Sequence, residues 1–239
     1  MMFDDGLLEA LIATFYGYGD YRGRYWFVGM EEGGGRDFAE IAARLASWDR
    51  YGRQELGSLG HWGDGPPHPF FRERPRLQRT WAALIRLALS LQGEPVTTDA
   101  VRAFQRDRLG RAGGDNCLLE LLPLPARSTR DWLYGAYSTL PALRTRESYL
   151  TRYAPDRARH LRNRVAEHQP EVVIFYSVNG WYHQWWEVIA GAPLPFIQLD
   201  GWKFALARSG PTTFAVVAHP ATQGITNAYF AAAAQAIAR

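Results

Sequence analysis

Four short, almost wholly apolar runs, separated by stretches of helical periodicity, constrain this chain more than any other feature. The runs are Tyr25-Trp26-Phe27-Val28-Gly29, Cys117-Leu118-Leu119-Glu120-Leu121-Leu122, Glu171-Val172-Val173-Ile174-Phe175-Tyr176-Ser177 and Thr213-Phe214-Ala215-Val216-Val217-Ala218. They do not alternate between apolar and polar residues, which is the pattern of strands buried on both faces. Between them the apolar residues recur at helical spacing. Residues 4–16 place Leu7, Leu8, Leu11, Ile12 and Phe15 on one face, and residues 36–50 do the same with Phe38, Ile41, Leu45 and Trp48. Further helices are expected over 76–92, over 99–108 with Thr98 as N-cap, over 155–168, in the tryptophan-rich segment after Ser177, and from about residue 225 onward.

Strands that alternate with helices predict an α/β protein with helices on both sides of a sheet. The expected fold is therefore a three-layer α/β/α arrangement around a central, mostly parallel four-stranded sheet. Residues 195–199 and 203–208 read as two further short strands, forming a hairpin around Asp200-Gly201-Trp202. Pro123 and Pro125 are expected to stop the second core strand. Residues 51–75 and 126–154 lack a clear period and read as loops. The arginines of 155–168 are expected on a solvated helix face. A chain of 239 residues is read as one domain, residues 1–239.

Composition narrows the function classes. Apolar residues are 47% of the chain and charged residues 21%, an ordinary globular balance. The net charge is +3, and Lys203 is the only lysine among 27 basic residues. Arginine's planar fork suits phosphate, so the bias is compatible with a nucleic-acid partner, and equally with a GC-rich genome. Cys117 is the only cysteine, which excludes a disulfide framework or a cysteine-bound metal cluster. The acidic start Met1-Met2-Phe3-Asp4-Asp5 does not follow the plan of a signal peptide, and no apolar run nears the roughly 20 residues needed to span a bilayer. A cytoplasmic, monomeric protein with no membrane partner is expected.

In sheets of this kind, ligands bind beyond the carboxyl ends of the strands. Two such ends carry chemistry. The first is Gly29-Met30-Glu31-Glu32-Gly33-Gly34-Gly35. It fits neither the dinucleotide-binding nor the P-loop glycine pattern, and two carboxylates argue against a phosphate cradle. They suit the positioning of a water molecule, although acidic residues at a helix start also satisfy its dipole. The second is His219-Pro220. A histidine there can donate a hydrogen bond to a developing anion, or simply be structural.

Taken together, strand-then-GMEEGG, His68-Pro69-Phe70-Phe71 in the loop that follows, a strand ending at prolines and a strand ending in His-Pro resemble the uracil-DNA glycosylase superfamily, over residues of about 24 to 235. The resemblance implies that superfamily's fold and a base-flipping N-glycosyl hydrolase acting on DNA, with no cofactor and no metal. It implies catalytic roles for Glu31, which positions the attacking water, for its neighbour Glu32, and for His219, which stabilises the departing base. Phe70 would stack on the flipped base. Glu120, with Asn116 four residues earlier, would read the base edge. Gln223 or Ile225 would wedge into the duplex, and Arg72 would contact DNA.

The departures carry information. Ala221 stands where the superfamily's His-Pro motif continues with serine. Glu120 stands where an asparagine commonly selects uracil, and an ionised carboxylate accepts hydrogen bonds but cannot donate them. That favours an amino-bearing base. The resemblance then points to a cytosine derivative such as the glucosylated hydroxymethylcytosine of phage DNA, removed in defence against phage. Trp62, Trp132 and Tyr134 are candidates to stack on the sugar of such a base, with core filling as the competing use of each. The lone lysine implies a monofunctional enzyme that leaves an abasic site, because strand cleavage generally needs an amine nucleophile. Three alternatives stay open: repair of uracil or other deaminated bases, a non-catalytic nucleic-acid binder, and a hydrolase of free nucleosides. A metal bound by His61, His68 and the glutamates has no supporting spacing.

Overall fold

The computed structural model describes residues 1–60, 68–128 and 130–239. Trp62 and His61 lie outside the described residues. The architecture is α/β. The strands are β1 (Gly17–Gly19), β2 (Tyr25–Gly33), β3 (Leu56–Gly57), β4 (Asn116–Ala126), β5 (Val172–Phe175), β6 (Ile197–Leu199), β7 (Trp202–Ser209) and β8 (Thr212–Val216). The helices are α1 (Asp5–Thr14), α2 (Phe38–Arg50), α3 (Arg79–Leu91), α4 (Thr98–Asp107), α5 (Tyr134–Tyr137), α6 (Arg146–His168), α7 (Gly180–Ala190) and α8 (Asn227–Ala238).

Among the described residues the strands form one mixed sheet of eight, in the order β3-β1-β4-β2-β5-β8-β7-β6. The expected four-stranded sheet is thus extended on both sides. Its centre, β4-β2-β5-β8, is the four apolar runs, and each neighbouring pair there is parallel. The flanking β1–β4, β8–β7 and β7–β6 pairs are antiparallel. β1 and β3 are only three and two residues long, too short to leave a periodic signal.

One core lies on each face. Trp26, Val28, Leu119, Phe175 and Phe214 pack with Leu8, Ile12, Leu45, Leu161 and Trp186 from α1, α2, α6 and α7. Tyr25, Phe27, Leu118, Ile174 and Ala215 pack with Leu84, Ile85, Phe104, Phe230 and Ala233 from α3, α4 and α8. Each large side chain buried this way stabilises the fold by about 1.5–3 kcal/mol. No described helix is long and apolar enough to cross a membrane.

Four local expectations are corrected. β4 runs through Pro123 and Pro125 to Ala126. Its pairing with β1 ends at Leu119, whereas β2 follows it to Ala126. On the unpaired side a missing N–H costs no ladder bond. The helix expected from 155 begins at Arg146, set by a Thr145–Ser148 capping box, and contains Pro155. Its arginines are not uniformly solvated. Arg157 is buried, donating to the carbonyls of Ile12, Phe15, Glu120 and Leu121, with its guanidinium 3.8 Å from the centre of the Tyr16 ring. Arg164 pairs with Glu55 at 2.8 Å, while Arg159 and Arg162 are exposed. Finally, the N-cap of α4 is Thr97, which accepts from the Ala100 N–H, one residue before the expected Thr98.

Candidate active site

The carboxyl ends of β2, β4, β5 and β8 lie at the same end of the sheet, and side chains from β4 and from the end of β5 crowd over Gly29 of β2. It pairs with Glu120 across the β2–β4 ladder. A Cβ on Gly29 would lie 2.1 Å from the Tyr176 hydroxyl and 2.2 Å from Glu120 Oε2. Only glycine lets these two side chains meet over the strand. They do meet: Tyr176 Oη donates to Glu120 Oε1 at 2.6 Å. The Tyr176 ring in turn contacts the His219 ring, with centroids 5.9 Å apart. Tyr176 directly follows β5, and the apolar run that defined that strand already included it.

Glu120 Oε2 is buried and has no hydrogen-bond partner, although the residue as a whole is partly exposed. Burial pushes its carboxyl up to about 8. The Tyr176 hydrogen bond opposes that rise, the charges of Glu32 and Glu31 add to it, and Arg157 opposes it. The accept-only carboxylate expected at this position is therefore corrected. A value near 8 favours the protonated form at neutral pH, and with Oε1 accepting from Tyr176 the proton falls to Oε2.

Glu31 and Glu32 are held alike from opposite sides. Glu31 Oε1 accepts from Arg146 at 2.5 Å and from Tyr182 at 2.7 Å. Glu32 Oε1 accepts from Arg44 at 2.7 Å and from Tyr18 at 2.8 Å. Each carboxylate thus has one arginine and one tyrosine on Oε1, and among the described residues no hydrogen bond reaches Oε2 of either. The sequence gives no cue to these clamps, because they come from other elements.

A cleft of about 520 Å³ opens beside this group, lined by Tyr18, Glu32, Phe70, Phe71, Trp81 and Glu120 among others. Glu32, Phe70 and Glu120 are thus brought together as lining residues, whereas Glu31, expected to position the water, and His219, expected to stabilise the departing base, are not among them, and Glu31 sits against α6 and α7. Phe70 meets Trp81 edge-on at 5.5 Å and Phe71 meets it at 5.7 Å. The segment carrying both rings is clamped by Gln105, which is fully buried on α4. Gln105 Nε2 donates to the carbonyls of Phe70 and Arg76 at 2.9 Å each, and its Oε1 accepts from the Gln78 N–H at 3.0 Å.

The glycine-rich turn is no anion cradle. Glu40 Oε1 accepts from Gly35 N at 3.0 Å and Oε2 from Arg36 N at 3.2 Å, so a side chain of the protein takes those amides. Gly35 has φ +68°, and a Cβ there would meet the Pro125 carbonyl at 2.4 Å.

His219 accepts at Nδ1 from the Ala221 N–H at 3.1 Å. Its proton therefore sits on Nε2 in the neutral ring. Burial, with the charge of Arg79, lowers its pKa, so the ring is neutral at pH 7. Arg79 Nη2 also donates to the Thr222 carbonyl at 3.5 Å, tying the start of α3 to the loop after His219. Gln223 is exposed on that loop, and Ile225 is partly buried against the core. Arg72, Arg74, Arg76 and Arg79 are all exposed in the segment after Phe71.

Two expectations do not survive. Asn116 lies at the amino end of β4, fully buried, with its side chain spent on Gly110 N, the Arg108 carbonyl and Asp115. It faces no cleft and braces the turn that starts the strand. Tyr134 is buried with its hydroxyl on the Pro125 carbonyl, and the half-buried Trp132 packs at a tilt against Tyr134 and Tyr149 with Nε1 on the Leu143 carbonyl. Both fill core. Among the described residues no three His, Cys, Asp or Glu side chains form a metal site. The chain matches no family model and no curated protein.

Proposed function

We propose that this protein is a monofunctional DNA glycosylase with a fold like that of the uracil-DNA glycosylase superfamily, and that it flips a modified base, of the cytosine type, into the cleft and hydrolyses its N-glycosidic bond. The observation that carries this reading is the convergence of Glu32, Glu120 and Phe70 on one cleft, with His219 tied to Glu120 through Tyr176. Flipping costs a few kcal/mol and exposes the Watson–Crick edge of the base to the pocket. Phe70 stacks on the flipped ring, and Glu120 meets its edge. The free Oε2 of Glu32 holds the attacking water, and the charge of Glu32 with that of Glu31 stabilises the cationic sugar. His219 does not itself line the cleft; next to Tyr176, its Nε2 proton is the donor assigned to the departing base.

The cleft of about 520 Å³ is large enough for a drug-sized ligand, which supports a base enlarged by a substituent such as a sugar. Gln223 is the exposed candidate for the wedge, and Ile225 anchors the loop behind it. The exposed arginines from Arg72 to Arg79 suit phosphates along the strand. Lys203 is exposed on β7 with Nζ 5.3 Å from the Phe196 ring centre, and it does not line the cleft, so an abasic site is the expected product. A protonated Glu120 keeps one second reading open: it can also donate to uracil O4 while accepting from N3–H, which fits repair of deaminated bases.

The test is incubation with DNAs carrying uracil, hypoxanthine, hydroxymethylcytosine or glucosylated hydroxymethylcytosine, followed by heating in alkali. Cleavage at the modified cytosine supports the reading, and cleavage at uracil alone supports the second. No cleavage of any substrate, with free nucleosides hydrolysed instead, overturns it.

A further inference from the structure

In the Glu120–Tyr176 pair, one carboxyl oxygen is fixed and the other is left over. Tyr176 occupies Oε1, and Oε2 is buried over Gly29 without a partner, on a residue that lines the cleft. A buried polar atom left unpaired is destabilising, so a ligand group that completes it is favoured. Burial, with the neighbouring Glu32 and Glu31 on β2, keeps the proton on Glu120 against the Tyr176 hydrogen bond from the end of β5 and the charge of Arg157 on α6, while Tyr18 faces it from β1. Glu31 and Glu32 are ion-paired with Arg146 and Arg44, and a further negative charge beside them is disfavoured. One cleft thus holds an ion-paired carboxylate on Glu32 and an unpaired neutral carboxyl on Glu120, the division of labour that acid and base need in glycosidic chemistry.

Resting on the base-excision reading above, we infer that Glu120 is the general acid of this cleft and that its substrate class is an aminopyrimidine, a base that leaves poorly as an anion. A neutral carboxyl complements the amino edge of cytosine on two atoms: Oε2–H donates to N3, and Oε1, which has a second lone pair, accepts from the N4 amino group. As the C1′–N1 bond breaks, the Oε2 proton passes to N3 and the bonding electron pair goes to N1. The base leaves as a neutral molecule. Water adds its oxygen to C1′ and gives a proton to the Glu32 carboxylate, and both glutamates then re-equilibrate with solvent. Uracil has a second carbonyl to absorb the charge on N1 and departs as an anion without this help. Cytosine, whose amino group feeds electrons into the ring, gains most from the proton. The reason for an amino base is therefore the opposite of an ionised carboxylate accepting from N4.

The experiment is single-turnover excision from duplex DNA by the wild type, Glu120→Gln and Tyr176→Phe, across pH 6 to 10. The substrates are 5-methyl-, 5-hydroxymethyl-, 5-fluoro- and 5-formylcytosine, whose leaving ability rises with electron withdrawal. The wild-type rate is expected to fall about tenfold per pH unit above an inflection near 8. Tyr176→Phe removes the hydrogen bond that favours the ionised form, so its inflection moves to higher pH. Glu120→Gln keeps a donor but no transferable proton. Its rate is expected to drop by about 10²–10⁴-fold on the poorest leaving group and far less on 5-formylcytosine, with DNA affinity little changed. An equal loss on all four bases, or an alkaline limb absent from the wild type, overturns the general-acid role alone. No release by the wild type from any DNA substrate overturns the glycosylase reading, and this inference with it.

Discussion

The Tyr176 hydroxyl and the Glu120 carboxyl share one hydrogen bond of 2.6 Å in the space where any side chain at Gly29 would stand. Gly29→Ala therefore forces the pair apart. We expect a stability loss of about 1–3 kcal/mol by urea unfolding, typical of overpacking, and a larger proportional loss of excision. Full activity in this variant would show that the pair has no role in the reaction.

Glu120 also makes stability depend on pH in a specific direction. Its folded pKa, about 8, lies above the ordinary value of 4.5. The folded state therefore holds a proton that the unfolded chain has released. The stability is fully present below pH 4.5 and is lost as the pH rises through 8. Glu120→Gln removes that dependence, so its margin over the wild type should widen from pH 5 to pH 8 and then level off. Chemical denaturation at a series of pH values measures this directly, and parallel curves for the two proteins would refute it.

His219 behaves oppositely. Its pKa is lowered by burial and by Arg79, so folding favours the neutral ring. The contribution is present above pH 6.5 and fades as the pH falls toward the lowered value. Nitrogen-15 NMR should find the proton on Nε2, because Nδ1 accepts from Ala221 N. His219→Ala is expected to lower kcat about 10²–10³-fold, the usual loss of one donor to a developing anion, with little effect on unfolding.

Gln105 never touches the cleft contents, yet it bonds the carbonyls of Phe70 and Arg76 and the N–H of Gln78. Gln105→Leu leaves these groups unsatisfied, at a cost of about 1–3 kcal/mol. Because the loop carries Phe70, we expect KM to rise more than kcat falls. Unaltered KM with lowered stability would assign Gln105 to the fold alone.

Gln223 and Ile225 separate by burial. Gln223→Ala should slow excision from duplex DNA and spare single-stranded DNA, because a wedge acts only on stacked pairs. Ile225→Ala should lower stability and affect excision from both substrates alike, since Ile225 packs on the core. Equal effects of Gln223→Ala on the two substrates would remove it from the interface.

The α/β class was legible because four runs as apolar as Val172–Phe175 have no stable place except between two helix layers. The segments bearing Glu31, Glu32 and His219 followed from the same runs, although Gly29 and the prolines after Leu122 did not stop their strands: β2 runs on to Gly33 and β4 to Ala126. The site was legible only in outline. Tyr176 stood in the third run, but nothing local tied it to Glu120, 56 residues away. Arg146 reaches Glu31 across 115 residues and leaves no short-range pattern.

By itself, then, the sequence determined the four central strands but not where β2 and β4 end, because burial is a property of short segments whereas a strand's end depends on its neighbours. Tertiary structure decided the rest. It added β1 and β3, which are too short to carry a period, and let β4 pass two prolines where no strand pairs on its outer side. It moved Asn116 to the far end of its strand and sent Trp132 and Tyr134 into the core. Above all it decided the charge of Glu120. A carboxyl's proton depends on how far water and other charges are from it, and those distances exist only once β2, β4 and the end of β5 have closed around Gly29.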